Sequence, residues 1–168
     1  MHPEIPIDAL ADLIVRQHAE KRDFIAPARE LTVTSTDAGS TLRFGVGQEQ
    51  VEARLTTHAL RQVASYGDIP FKYLEKLVHE PGLLDRNLNH WLEQSAQPRM
   101  VRTLMGERSV ARAFLSSRYR PLDNYDLAHR MVPKLRSGGV AIKSCALAWR
   151  IAARDRGSKR LRIAAARL

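Results

Sequence analysis

At 168 residues the chain is long enough for one domain with a sizeable core. Its 44% hydrophobic content includes no run near the roughly 18 apolar residues of a membrane-spanning helix, and residues 1–6 lack the basic and apolar regions of a signal peptide, so the expectation is a cytoplasmic protein without membrane association. The net charge of +9 is uneven, with 10 Lys/Arg against 14 Asp/Glu in residues 1–96 and 17 against 4 in residues 97–168, an asymmetry that points to a polyanion partner.

Asp8 to Lys21 reads as a helix, with Asp8 as cap and Leu10, Leu13, Ile14 and Gln17 on one face. The segment Phe24-Ile-Ala-Pro27 breaks it, because proline and the residue before it disfavour continuation. Leu31–Ser35 and Thr41–Val46 are β-rich runs around Asp37 and Gly39, which is the pattern of a hairpin, and Val51–Leu55 alternates as a third strand. Three short helices follow. The first spans Thr57–Tyr66, capped by Thr56 or Thr57 and stopped by Gly67. The second starts at Pro70 and buries Phe71, Leu74, Leu77 and Val78. The third is marked by Leu83, Leu84, Leu88, Trp91 and Leu92, with Trp91 in the core and His90 on the helix surface.

Arg99–Met105 and Ser109–Leu115 form a second hairpin about Gly106-Glu107. Strict alternation puts Ala111, Ala113 and Leu115 on one face of the later strand and Val110, Arg112 and Phe114 on the other. A helix then follows Pro121, capped by Asp123 or Asn124, and Pro133 predicts a kink or an early end. Val140–Ser144 reads as a further strand, with the single cysteine, Cys145, as a small hydrophobe at its end. One cysteine gives no intrachain disulfide and no cysteine-based zinc site. The expected fold is α+β: a mixed sheet built from two hairpin groups, a three-helix insertion between them and one helix after the second hairpin. The divisions are an N-terminal helix (1–22), a single α+β domain (23–147) and an Arg/Ala-rich tail (148–168) that is either helical or read out of frame.

Several stretches in order resemble a known family: Asp23–Thr32, Ala59–Ala64 with Asp68–Leu74, Leu83–Leu92, Arg99–Gly106 and Arg112–Leu127. The family is that of the phage- and plasmid-borne proteins called domain of unknown function 932. The resemblance covers about residues 23–147 and is most specific over Arg112–Leu127. It implies a mobile-element origin and supplies no activity, cofactor or catalytic residue. It also implies a longer protein, so that the Arg/Ala-rich segment after Leu147 reads as the product of a frameshift or other rearrangement that truncates a family member.

The candidate chemistry is nucleic-acid binding through Arg99, Arg102, Arg108, Arg112, Arg118, Tyr119 and Arg120. Guanidinium groups pair with phosphates in fixed geometry, and an aromatic ring stacks an unpaired base. Such a surface suits single-stranded nucleic acid. Structural pairing of Arg118 or Arg120 with Asp123 or Asp126 is the competing account of these residues. A helix-turn-helix over Thr57–His79 is disfavoured, because residues 56–80 carry three basic and three acidic groups and so attract phosphate weakly. The six histidines have no metal-ligand spacing, no phosphate loop or nucleophile elbow is present, and no cofactor or small-molecule ligand is indicated. A non-enzymatic module is therefore the leading reading. The alternatives are a truncated remnant without activity and a metal-assisted nuclease using Asp123 and Asp126.

Overall fold

Six strands form one mixed sheet in the order β1-β5-β6-β4-β3-β2 in the computed structural model, which describes residues 7–137. The strands are β1 (Lys21–Pro27), β2 (Thr32–Thr36), β3 (Gly39–Val46), β4 (Glu49–Leu55), β5 (Pro98–Met105) and β6 (Ser109–Ser116). The helices are α1 (Ile7–Glu20), α2 (Thr57–Tyr66), α3 (Phe71–Leu77), α4 (Pro81–Glu93) and α5 (Asn124–Ser137). This is the α+β arrangement expected, with three helices inserted between the hairpin groups and one helix after the second. The expected strand at Val140–Ser144, Cys145 and the Arg/Ala-rich tail lie outside the described residues.

The two hairpin groups become one sheet through a short parallel pairing, Arg54 with Val110 and Leu55 with Ala111. Beyond Ala111 the β6 edge is taken over by α2: the Gln62 side-chain carbonyl accepts from the Phe114 N–H at 2.8 Å, and the Thr56 hydroxyl donates to the Arg112 carbonyl at 3.2 Å. Thr56 also caps α2 by accepting from the Ala59 N–H at 3.1 Å. The cap, the start of the helix and the end of the parallel ladder are therefore fixed at one point.

One compact unit comprises residues 20–119, holding the sheet and α2–α4. Its core packs Leu42, Phe44 and Leu55 of the sheet with Leu60 and Val63 of α2 and the stripe Leu84, Leu88 and Leu92 of α4. The i, i+4 spacing of that stripe aims one face of α4 at β2. A second unit contains α1 and α5, which meet where the His18 and Tyr125 rings stack with centroids 4.1 Å apart.

Four local expectations are revised and one is narrowed. Residues 21–27 do end the helix, and they then continue as β1, paired antiparallel to β5 from Lys21↔Leu104 to Pro27↔Pro98. Phe71 and Val78 are exposed, because the seven-residue α3 buries only Leu74 and Leu77. Trp91 is 45% exposed and covers Gly67, where an added Cβ would stand 2.8 Å from the indole Cδ1. Of the two outcomes expected at Pro133, the early end does not occur: α5 continues through it to Ser137. Last, the β5–β6 register shifts at Arg102/Thr103 and skips Arg112, so Ala111 and Phe114 both reach the core. Simple alternation had separated those two residues.

Candidate nucleic-acid interface

The arginines singled out by the sequence do not form one continuous surface. Arg102 is buried, and its Nε–H donates to both Asp23 carboxylate oxygens at 3.1 and 3.2 Å. Arg112 is half-buried at the bulge. Arg108 is exposed on the β5–β6 turn. Arg120 is exposed and belongs to the unit of α5, whereas Arg118 and Tyr119 belong to the sheet unit. Neither Arg118 nor Arg120 makes an ion pair among the described residues. Asp123 is buried just before α5, and its carbonyl accepts from the Leu127 N–H. No group of three His, Cys, Asp or Glu among the described residues is placed to hold a metal ion.

One subset does converge. Arg99, the second residue of β5, stands opposite Ser116 at the end of β6. Just beyond, the Arg118 N–H donates to the Ser116 hydroxyl at 3.2 Å and the Tyr119 N–H to the Ser116 carbonyl at 3.0 Å. These two bonds fold the chain back at the strand end and leave both side chains exposed. Arg29 reaches the same end of the sheet, since its N–H donates to Ser95 and the neighbouring Ala28 N–H to Gln97, immediately before β5. Glu30 and Glu93 are the exposed acidic residues nearest in sequence to this corner.

Arg99 is its chemical centre. The guanidinium lies 4.7 Å from the Tyr66 ring centroid and 4.8 Å from that of Phe114, and the two rings meet edge to face. Tyr66 is held by its hydroxyl, which donates to Ser95. No carboxylate pairs with Arg99 among the described residues, and its buried Nε has no acceptor. Burial lowers its pKa, with the electrostatic influence of Tyr66 acting the other way. The cation is stacked, partly desolvated and uncompensated, so its remaining N–H groups are available to an anion.

Sequence reasoning missed Tyr66 and Arg29 as members of this corner. Tyr66 sits at the end of α2, 33 residues before Arg99, and only the tertiary fold joins them. Arg61 was missed as well. It is half-buried on α2, with its guanidinium carbon 3.9 Å from the Phe71 ring centroid. The sequence held no signal for this pair, because the helical pattern put Phe71 in the core and only the fold shows it exposed.

No helix of the described residues is long and apolar enough to cross a membrane. Comparison with protein-family models, with curated proteins and with solved structures gave no match.

Proposed function

We propose that the chain is a non-enzymatic module of mobile-element origin that binds single-stranded nucleic acid at the corner formed by Arg29, Arg99, Arg118 and Tyr119. The observation that carries this reading is Arg99, stacked on Tyr66 and Phe114 without a carboxylate partner. It stands beside Arg118, which has no ion pair among the described residues, and the exposed ring of Tyr119. Phosphate oxygens supply the charge that the guanidinium groups lack, and an unpaired base has a ring on which to stack. The corner is made of strand ends, turns and the last residue of α2, with no helix presented lengthwise for a major groove, which favours a flexible single strand over a duplex.

Fluorescence anisotropy with a labelled thymidine oligonucleotide, titrated at several salt concentrations, tests the proposal. Affinity falls with salt, and Arg118→Ala reduces the slope of log K against log salt by about 0.7, the share of one phosphate contact on a single strand. Tyr119→Ala weakens binding by about 1–3 kcal/mol with the slope kept, because stacking releases no counterion. Unchanged affinity in both variants sinks the proposal.

A further inference from the structure

A second site lies toward the other end of α2. A cleft of about 630 Å³ separates the β2–β3 hairpin from α2 and α3, within the usual size range for ligand pockets. Its polar lining includes Asp37 on the hairpin turn, Arg61 on α2, and Glu75 and His79 on and just after α3. None of these four side chains makes an ion pair or side-chain hydrogen bond among the described residues. A cation and two carboxylates therefore share one cleft without neutralising one another. Arg61 is held by its stack on Phe71, and its buried Nε has no acceptor.

The walls between these charges differ in character. Ser35 and Ser40 of the hairpin and Thr57 of α2 bring hydroxyl-bearing residues to the lining, and the buried Leu60, Leu74 and Leu84 give it an apolar part. The hairpin wall is fixed in place: the Ser35 and Ser40 hydroxyls are 2.8 Å apart, and Arg54 Nη2 donates to the Ala38 carbonyl at 2.7 Å. The exposed edge of β2 is not open to strand addition, because Asn89 binds both backbone groups of Val33 and Asp85 accepts from the Ser35 N–H. An occupant would enter the cleft and leave the sheet edge alone.

We infer that this cleft takes the free carboxyl terminus of a short peptide with apolar last residues and a basic residue upstream. The terminal carboxylate pairs with the Arg61 fork. The apolar side chains lie on the leucines beside Phe71, the amide groups meet the serine and threonine hydroxyls, and the upstream cation is received by Asp37 and Glu75. A mononucleotide satisfies the Arg61 end but places its phosphate in a cleft that also holds two carboxylates. An apolar ligand leaves all three charges uncompensated. This site uses none of the residues of the Arg99 corner, so its test is independent of nucleic-acid binding.

The experiment is saturation-transfer NMR on the full chain with a pool of tetrapeptides. Each ends in two apolar residues with a free carboxylate and carries lysine upstream; the comparison pools are the same peptides as C-terminal amides, and adenosine monophosphate. The expected result is binding of the acids, with the amides weaker by about tenfold or more, the worth of a hydrogen bond to a charged group. Arg61→Gln abolishes the difference between acid and amide. Glu75→Gln, an exposed position that leaves folding intact, weakens lysine-bearing peptides and spares their norleucine counterparts. Equal binding of acid and amide, an Arg61→Gln variant that still discriminates, preference for the nucleotide, or no peptide signal from a folded chain would each overturn the inference.

Discussion

Asp23 and Arg102 face each other across the β1–β5 pair, with the guanidinium Nε 3.1 Å from a carboxylate oxygen and both side chains largely out of solvent, at 21% and 7% exposed. Their register makes this a directly opposed cross-strand pair, and the charge on Arg102 is committed to holding an edge strand in place. Asp23→Ala leaves the buried guanidinium without its carboxylate and is expected to cost about 3 kcal/mol. The double change Asp23→Leu with Arg102→Met removes both charges and should return stability to within about 1 kcal/mol of the parent. Urea unfolding of the two variants checks both values, and a double variant no better than Asp23→Ala would show that the pair is not the source of the loss.

The far edge of the sheet makes a separate prediction. The Asn89 side chain accepts from the Val33 N–H at 2.7 Å and donates to the Val33 carbonyl at 2.9 Å, so α4 substitutes for a seventh strand at that point. Asn89→Ala strips both groups of their partners at a part-buried position and should destabilise by about 2 kcal/mol. It also opens an edge that can pair with another chain. Thermal melts should fall, and size-exclusion chromatography should show association that grows with protein concentration. A variant that melts lower but stays at its original elution volume would limit the role of Asn89 to stability.

Gly67 ends α2 directly beneath Trp91. A Cβ there would lie 2.8 Å from the indole Cδ1 and 3.0 Å from Trp91 Cβ, so moving only the exposed far end of the ring does not relieve the clash. Gly67→Ala should cost about 1–3 kcal/mol through overpacking. If this contact is the cause, Trp91→Ala combined with Gly67→Ala should destabilise by less than the two single changes added together, as a double-mutant cycle would measure.

Much of this architecture was legible because its signals are local. Thr56, Gly67 and the Leu84/Leu88/Leu92 stripe announce their helices by capping chemistry and spacing, and the turn at Asp37 and Gly39 announces a hairpin. The strand β1 was not legible as a strand. It begins with Lys-Arg-Asp, carries a 60% exposed Ile25 and is stabilised by pairing with residues some eighty positions away. The bulge at Arg112 was equally hidden, since one extra residue in a strand reverses the apparent faces without changing the composition. The candidate site divides the same way: Arg118 and Tyr119 stand out in a dense local motif, whereas the exposure of a given arginine depends on whether a partner such as Asp23 lies across the sheet.

Arg99 separates a functional role from a structural one. Its pKa lies below the ordinary arginine value because burial disfavours the charged form. The sign follows directly: with the folded value below the unfolded one, folding is penalised at every pH below the folded value, and the penalty is lifted only as pH rises through it. Arginine stays protonated far above neutrality, so this residue contributes a constant cost near pH 7 and no pH dependence there. Two ring contacts offset part of that cost. Arg99→Met keeps the apolar contact with Tyr66 and Phe114 and discards the charge, and should leave stability within about 1 kcal/mol of the parent, or raise it. Oligonucleotide affinity should fall in the same variant by about 1.5–3 kcal/mol, the worth of a hydrogen bond to a charged group. Denaturant unfolding and anisotropy on one preparation give both numbers. A variant that loses stability but keeps its affinity would make Arg99 a packing residue and return the stacked guanidinium to the core.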